Sequence, residues 1–128
     1  MCIMTQDEIS YKIRGAIFKV YNGLGPGLYE SAYESALVHE LTKAGLDVET
    51  QVAVPMVYEN ITLDVAFRLD ILVEGSVVVE IKSIEAINAV HHKQLLTYLT
   101  LAKKRLGLLV NFNTDDIGKS IIRKLNGY

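Results

Sequence analysis

RLDILVEGSVVVEIK, residues 68–82, is the stretch whose reading decides the fold. Two β-rich arms, Phe67–Val73 and Val77–Ser83, flank Glu74-Gly75-Ser76, a turn signal with glycine where a positive φ is wanted. A hairpin this apolar belongs inside a sheet, yet it carries Asp70, Glu80 and Lys82. Side chains alternate along a strand, so Glu80 and Lys82 point to one face and Ile81 to the other. Unpaired charge is costly to bury, so these groups must be paired, open to a cleft or bound to a cation. The cation is the reading adopted.

Loop length decides whether the two acids can act together. A two-residue loop, Glu74-Gly75, pairs Val73 with Ser76 and Asp70 with Val79, which turns Asp70 away from Glu80. A three-residue loop, 74–76, pairs Val73 with Val77 and Asp70 with Glu80, and directly opposed residues share a face. A site built on both carboxylates therefore requires the odd loop or a bulge between them.

The surrounding chain of 128 residues is half hydrophobic and 22% charged, the composition of one soluble globular domain, residues 1–128. The single cysteine, Cys2, excludes a disulfide framework and a cysteine-rich zinc site. No signal peptide and no apolar run of about 18 residues is present, so the expectation is a cytoplasmic protein with no membrane partner. The net charge of −2 hides an asymmetry. Residues 1–100 hold 7 Lys/Arg against 13 Asp/Glu, whereas residues 101–128 hold 6 against 2. An acidic body with a basic end suits a cation site beside a polyanion track, and equally a solvated C-terminus.

Taken in order, Thr5 and Glu8 form a capping-box signal, and Ile9, Ile13, Ala16, Ile17 and Val20 recur on one helical face, predicting a helix over Gln6–Asn22. The breaker-rich Gly23–Gly27 leads into a second helix, Leu28–Ala44, with Glu30 in its dipole-favoured first turn and Tyr33 on the same face. If that face meets the hairpin, Glu30 joins Asp70 and Glu80. Strands are predicted at Val48–Val54 and Met56–Tyr58, with Pro55 marking an edge position or a strand end, and at Ile61–Val73, bent or bulged. After the hairpin come a connection at 84–90, a helix His91–Lys103 and a buried strand Leu106–Asn111, parallel to an earlier one. Asn113–Gly118 reads as a loop, and Ser120–Leu125 as either a strand or a short helix. The result is an α/β domain, a mixed β-sheet flanked by helices.

Chemically, Asp70 and Glu80 suit Mg²⁺ (or Mn²⁺), a hard cation that keeps several waters and needs only one or two carboxylates. Such an ion activates water and neutralises charge on a phosphate under in-line attack. Lys82 would hold the nucleophilic water or stabilise the developing charge. Gln94 and Tyr98, four apart on one helix face, could orient substrate or water.

The order of a helix-start acid, a strand Asp, a strand Glu-x-Lys and a helix with Gln-x-x-x-Tyr resembles the PD-(D/E)XK nuclease superfamily. The stretch GLYESAY, residues 27–33, is similar to the signature of the small GxxExxY proteins within it. So are Gly25-Pro26-Gly27, Gln51, Arg68-Leu69-Asp70, Glu80-Ile81-Lys82, the QLLTY of residues 94–98 and the GLLVNF of residues 107–112. The resemblance runs from about Ile13 to the C-terminus. It implies a restriction-endonuclease-like core and metal ligation by Asp70, Glu80 and the main-chain carbonyl of Ile81. It further implies a catalytic Lys82, with Glu30, Gln94 and Tyr98 as supporting catalytic residues. Two departures stand out: Leu69 replaces the proline of the superfamily's name, and Tyr21 sits where a histidine is expected.

Among the remaining residues, Arg68 and Tyr33 are candidate substrate contacts, and Asp64 and Arg68 share a strand face that suits a salt bridge. His91 and His92 point about 100° apart on a helix and cannot chelate as a pair; His91 is expected to be solvated rather than to border the cleft. Two functions follow. The first is a divalent-metal-dependent nuclease acting on DNA or RNA, with a homodimer or protein partner supplying grip. The second is a catalytically inactive module of the same fold that binds nucleic acid or a protein.

Overall fold

The computed structural model describes residues 3–127, so Cys2 lies outside the described residues. Helix α1 (Gln6–Leu24) begins where Thr5 accepts the Glu8 N–H at 3.1 Å. It runs two residues beyond the predicted end, because the Gly25 N–H closes the last turn on Tyr21 O at 2.8 Å and Gly25 adopts φ +71°. Its buried stripe is the predicted one. Helix α2 (Glu30–Lys43) starts two residues later than predicted, since the Leu28 N–H bonds instead to the Tyr33 hydroxyl at 3.1 Å.

Five strands follow: β1 (Val48–Tyr58), β2 (Ile61–Val73), β3 (Val77–Lys82), β4 (Leu106–Asn111) and β5 (Ile121–Leu125). They lie side by side in sequence order, with β3 and β4 parallel and every other pair antiparallel. Helix α3 (Ala89–Ala102) makes the crossover that a parallel pair requires. Pro55 sits on the edge strand β1, where its missing N–H is tolerated. The undecided C-terminal stretch is a strand, preceded by a 3₁₀ turn at Ile117–Ser120.

The sheet separates two apolar layers. On one side α1 and α2 pack over Ile71, Val73, Val77, Val79, Ile81 and the alternate residues of β4. On the other, α3 packs Leu95 and Leu99 against Leu69, Leu72, Val78 and Leu109. Close approach of α3 depends on Gly107, where an added Cβ would lie 3.1 Å from the side chains of both Leu95 and Leu99. Gly107→Val is therefore expected to lower stability by about 1–3 kcal/mol, the usual cost of overpacking, as read by urea denaturation.

Candidate active site

The hairpin loop has the odd length. Val73 pairs with Val77 and Ile71 with Val79, so residues 74–76 form the loop and Asp70 falls opposite Glu80. Glu74 and Gly75 both take positive φ, +54° and +60°, and the Ser76 N–H closes on Val73 O at 3.0 Å. Glu74 tolerates that conformation with its backbone and side chain both tied to Asp47: its N–H donates to Asp47 O, and its carboxylate accepts the Asp47 N–H.

At Asp70 the strand ladder gives way to side chains. The Asp70 N–H donates to Glu80 Oε1 at 3.2 Å, and the Ile81 N–H donates to Asp70 Oδ2 at 2.8 Å. The same row is irregular one strand further out. The β1–β2 pairing skips Gln51 opposite Asp70, and Gln51 has φ +50°, the left-handed region that non-glycine residues rarely enter. Alternation changes phase here in both strands. Val48 and Ile71 pack in the α1–α2 layer, whereas Val52, Val54, Phe67 and Leu69 pack with α3. Asp70 thus sits at a break in the pleat, within bonding reach of β3.

Glu80 follows Val78 onto the α3 face and is 5% exposed. Burial, and next the charge of Asp70, push its carboxyl up to about 8, against the Asp70 N–H bond and the charge of Lys82, which favour ionisation. Lys82 shares this face; its carbonyl accepts the Phe112 N–H at 2.9 Å, and among the described residues its ammonium has no hydrogen-bond or ion-pair partner. Gln94 donates to the Tyr98 hydroxyl at 2.9 Å, and Tyr98 stacks on Phe67 at 4.3 Å. Partial burial raises the Tyr98 phenol pKa, and the charge of Glu80 raises it further. The structure therefore gathers Asp70, Glu80, Lys82, Gln94 and Tyr98 at one end of the sheet.

Glu30 reaches the other side of Asp70. It lines a small cleft of about 140 Å³ with Ser31, Glu34, Gln51, Asp70 and Ile81, and its Oε2 accepts the Ser83 N–H at 3.2 Å. Glu34 and Gln51 were not foreseen as a wall of this cleft; Gln51 donates to Glu34 at 2.8 Å and joins β1 to α2. Glu34 lies one helical turn from Glu30, a spacing that was legible. The left-handed bend at Gln51 left no mark in the pattern of apolar residues. Asn111, buried at the end of β4, clamps the segment after β3: it accepts from Ile84 N and donates to Ile84 O.

Three expectations need correction. Tyr33 is fully buried, stacked 4.2 Å from Phe112, with its hydroxyl donating to Gly25 O at 2.6 Å; it anchors the glycine-rich loop and cannot touch substrate. Arg68 is exposed but donates to the Gln51 carbonyl at 3.1 Å rather than to a carboxylate. His91 accepts the Asn88 N–H at 3.0 Å and completes the capping box of α3. Tyr21, in the place of the expected histidine, donates to Thr114 O.

The donor set is all oxygen. Among the described residues no three His, Cys, Asp or Glu side chains converge as a ready-made metal cluster. Asp70, Glu80 and the Ile81 carbonyl instead offer two carboxylates and a main-chain oxygen, which fits an ion that retains most of its water. A buried carboxyl pushed up to about 8 beside a second acid is also a group that a cation would stabilise.

A model of the PD-(D/E)XK nuclease superfamily matches residues 7–124. The chain belongs to that superfamily, and its five-stranded mixed sheet with three helices is the restriction-endonuclease-like fold. Nucleases of this superfamily are generally dependent on divalent metals and act on nucleic acids. Comparison with curated proteins and with solved structures found no match. Among the described residues no helix is long and apolar enough to cross a membrane.

The Glu80 carboxyl gives a signed pH dependence. It holds its proton to about pH 8 in the folded chain and releases it near the ordinary 4.5 when unfolded. Between those values the folded chain binds the extra proton, so stability falls as pH rises. In a chelator, the wild type is expected to lose at least about 1.4 kcal/mol between pH 5 and pH 8 beyond any loss in Glu80→Gln, as read by urea denaturation at each pH.

Proposed function

We propose that residues 1–128 form a single catalytic domain, a divalent-metal-dependent nuclease of the GxxExxY branch that hydrolyses phosphodiester bonds in DNA or RNA. The observation that carries this reading is the exchange of hydrogen bonds between Asp70 and the Glu80-Ile81 segment, with Lys82 unpaired alongside. Asp70, Glu80 and the Ile81 carbonyl would hold Mg²⁺ or Mn²⁺, which supplies Lewis-acid activation of water and charge neutralisation at the scissile phosphate. The Lys82 ammonium, one strand period from Glu80, orients the attacking water and stabilises negative charge as it grows on phosphate oxygens. The Gln94–Tyr98 pair fixes the rim on the α3 side, where the phenol keeps its proton as a donor. Glu30 on the α2 side bonds the Ser83 N–H and positions the segment leaving β3.

The second reading, a catalytically inactive module that binds nucleic acid or a protein, uses the same fold without the chemistry. Calorimetric titration with Mn²⁺ and Mg²⁺, followed by incubation with single- and double-stranded DNA and RNA, separates the two. Cation binding is expected in the wild type and in Lys82→Ala, and should be lost in Asp70→Ala. Cleavage should fall at least about 100-fold in both variants, the scale of removing a positioned charge from a transition state. A wild type that binds nucleic acid without taking up either metal would sink the nuclease reading and favour the module.

A further inference from the structure

The alternation of β1 and β2 asks for more cover than this chain supplies. Their register shifts by two residues between Val54↔Phe67 and Tyr58↔Ile61, which preserves the alternation of faces. Val52, Val54, Met56 and Tyr58 therefore share a face with Ile61, Leu63, Val65, Phe67 and Leu69. Every one of these positions is apolar, whereas the opposite face mixes Thr62, Asp64 and Arg68 with Ala53, Pro55, Val57 and Ala66. That is the signature of a half-buried ribbon. Its near half is covered: Leu69 is buried in the α3 layer, and Val52, Val54 and Phe67 pack against it partly buried. Its far half is open, with Tyr58 64%, Ile61 61% and Val65 56% exposed, and Met56 and Leu63 exposed as well. Because β3 pairs with β2 only at Ile71–Val73, the ribbon beyond Asp70 is two-stranded, an arrangement that is marginal in water unless a face is packed.

We propose that this open strip is a two-fold self-association surface, the ribbon of one copy packing face to face on that of a second. Charge argues against nucleic acid as the occupant. Arg68 is the one cation between Val48 and Val73, against Glu49, Glu59, Asp64 and Asp70, so the ribbon repels a phosphate backbone. An uncharged apolar strip is self-complementary, as a two-fold contact requires. Its size also fits. The strip presents on the order of 500 Å² per copy, the scale at which an apolar patch marks a contact surface. Two such strips bury about 1,000 Å², the lower bound of a specific interface. This inference does not depend on the site chemistry.

The test is sedimentation of the full chain from micromolar to hundred-micromolar concentration. The wild type is expected to dimerise, and Ile61→Lys/Val65→Lys to weaken the dimer at least about 30-fold, the effect of losing one strong anchor. Thr62→Lys/Asp64→Lys, charged to the same end on the opposite face, should still dimerise. Circular dichroism melts check that both variants fold, since the changes lie outside the core. A monomeric wild type at the highest concentration would overturn the proposal. So would an Ile61→Lys/Val65→Lys dimer of unchanged strength, or equal loss in both variants.

Discussion

Two hydrogen bonds between strands β2 and β3, Asp70 N–H to Glu80 and Ile81 N–H to Asp70, hold the constraint on which the site depends. They stand where ordinary ladder bonds would continue, so the aspartate is at once a sheet partner and a candidate site residue. The loop length imposes this. With three residues at 74–76, the acids face one another; with two, every side chain beyond the turn would change faces. On the outer strand, Gln51, opposite Asp70, is left-handed and drops out of the pairing. It carries a strain of about 1–3 kcal/mol and lets β1 and β2 change phase together around Asp70.

The rest of the fold supplies walls. Tyr33 and Phe112 stack in the α1–α2 layer and fix the loop that launches α2, which delivers Glu30 and Glu34 to one side of Asp70. On the other side, Asn88 and His91 start α3, and Gly107 lets it lie close on the sheet. That seating carries Gln94 and Tyr98 toward Glu80. Asn111 then ties the segment between β3 and α3 to the end of β4, so both walls are braced against the same pair of parallel strands.

Much of this was legible in the sequence, for identifiable reasons. The stripe of α1, the edge position (one of the two readings Pro55 allowed) and the parallel β4 follow from periodicity and breaker residues. The pairing of Asp70 with Glu80 was legible as a condition on loop length, and the three-residue loop meets it. Three things were hidden. The phase change at Gln51 leaves Val48, Val52 and Val54 in one two-residue alternation in sequence although they serve different layers. The roles of Tyr33 and His91 depend on partners distant in the chain or on cap geometry, and residue type alone pointed toward substrate and solvent. The exposure of the distal ribbon is invisible to alternation, which reports that a face wants burial and not what buries it.

The proposed nuclease requires a divalent ion where Asp70 meets Glu80 and Ile81. Backbone NMR with substoichiometric Mn²⁺ tests it most directly, because paramagnetic broadening marks nearby amides. Asp70, Glu80 and Ile81 are expected to broaden first, followed by residues around Glu30 and Tyr98, and Asp70→Asn to abolish the pattern. Broadening centred elsewhere, for example on Asp115 and Asp116, or a pattern unchanged in Asp70→Asn, would contradict it.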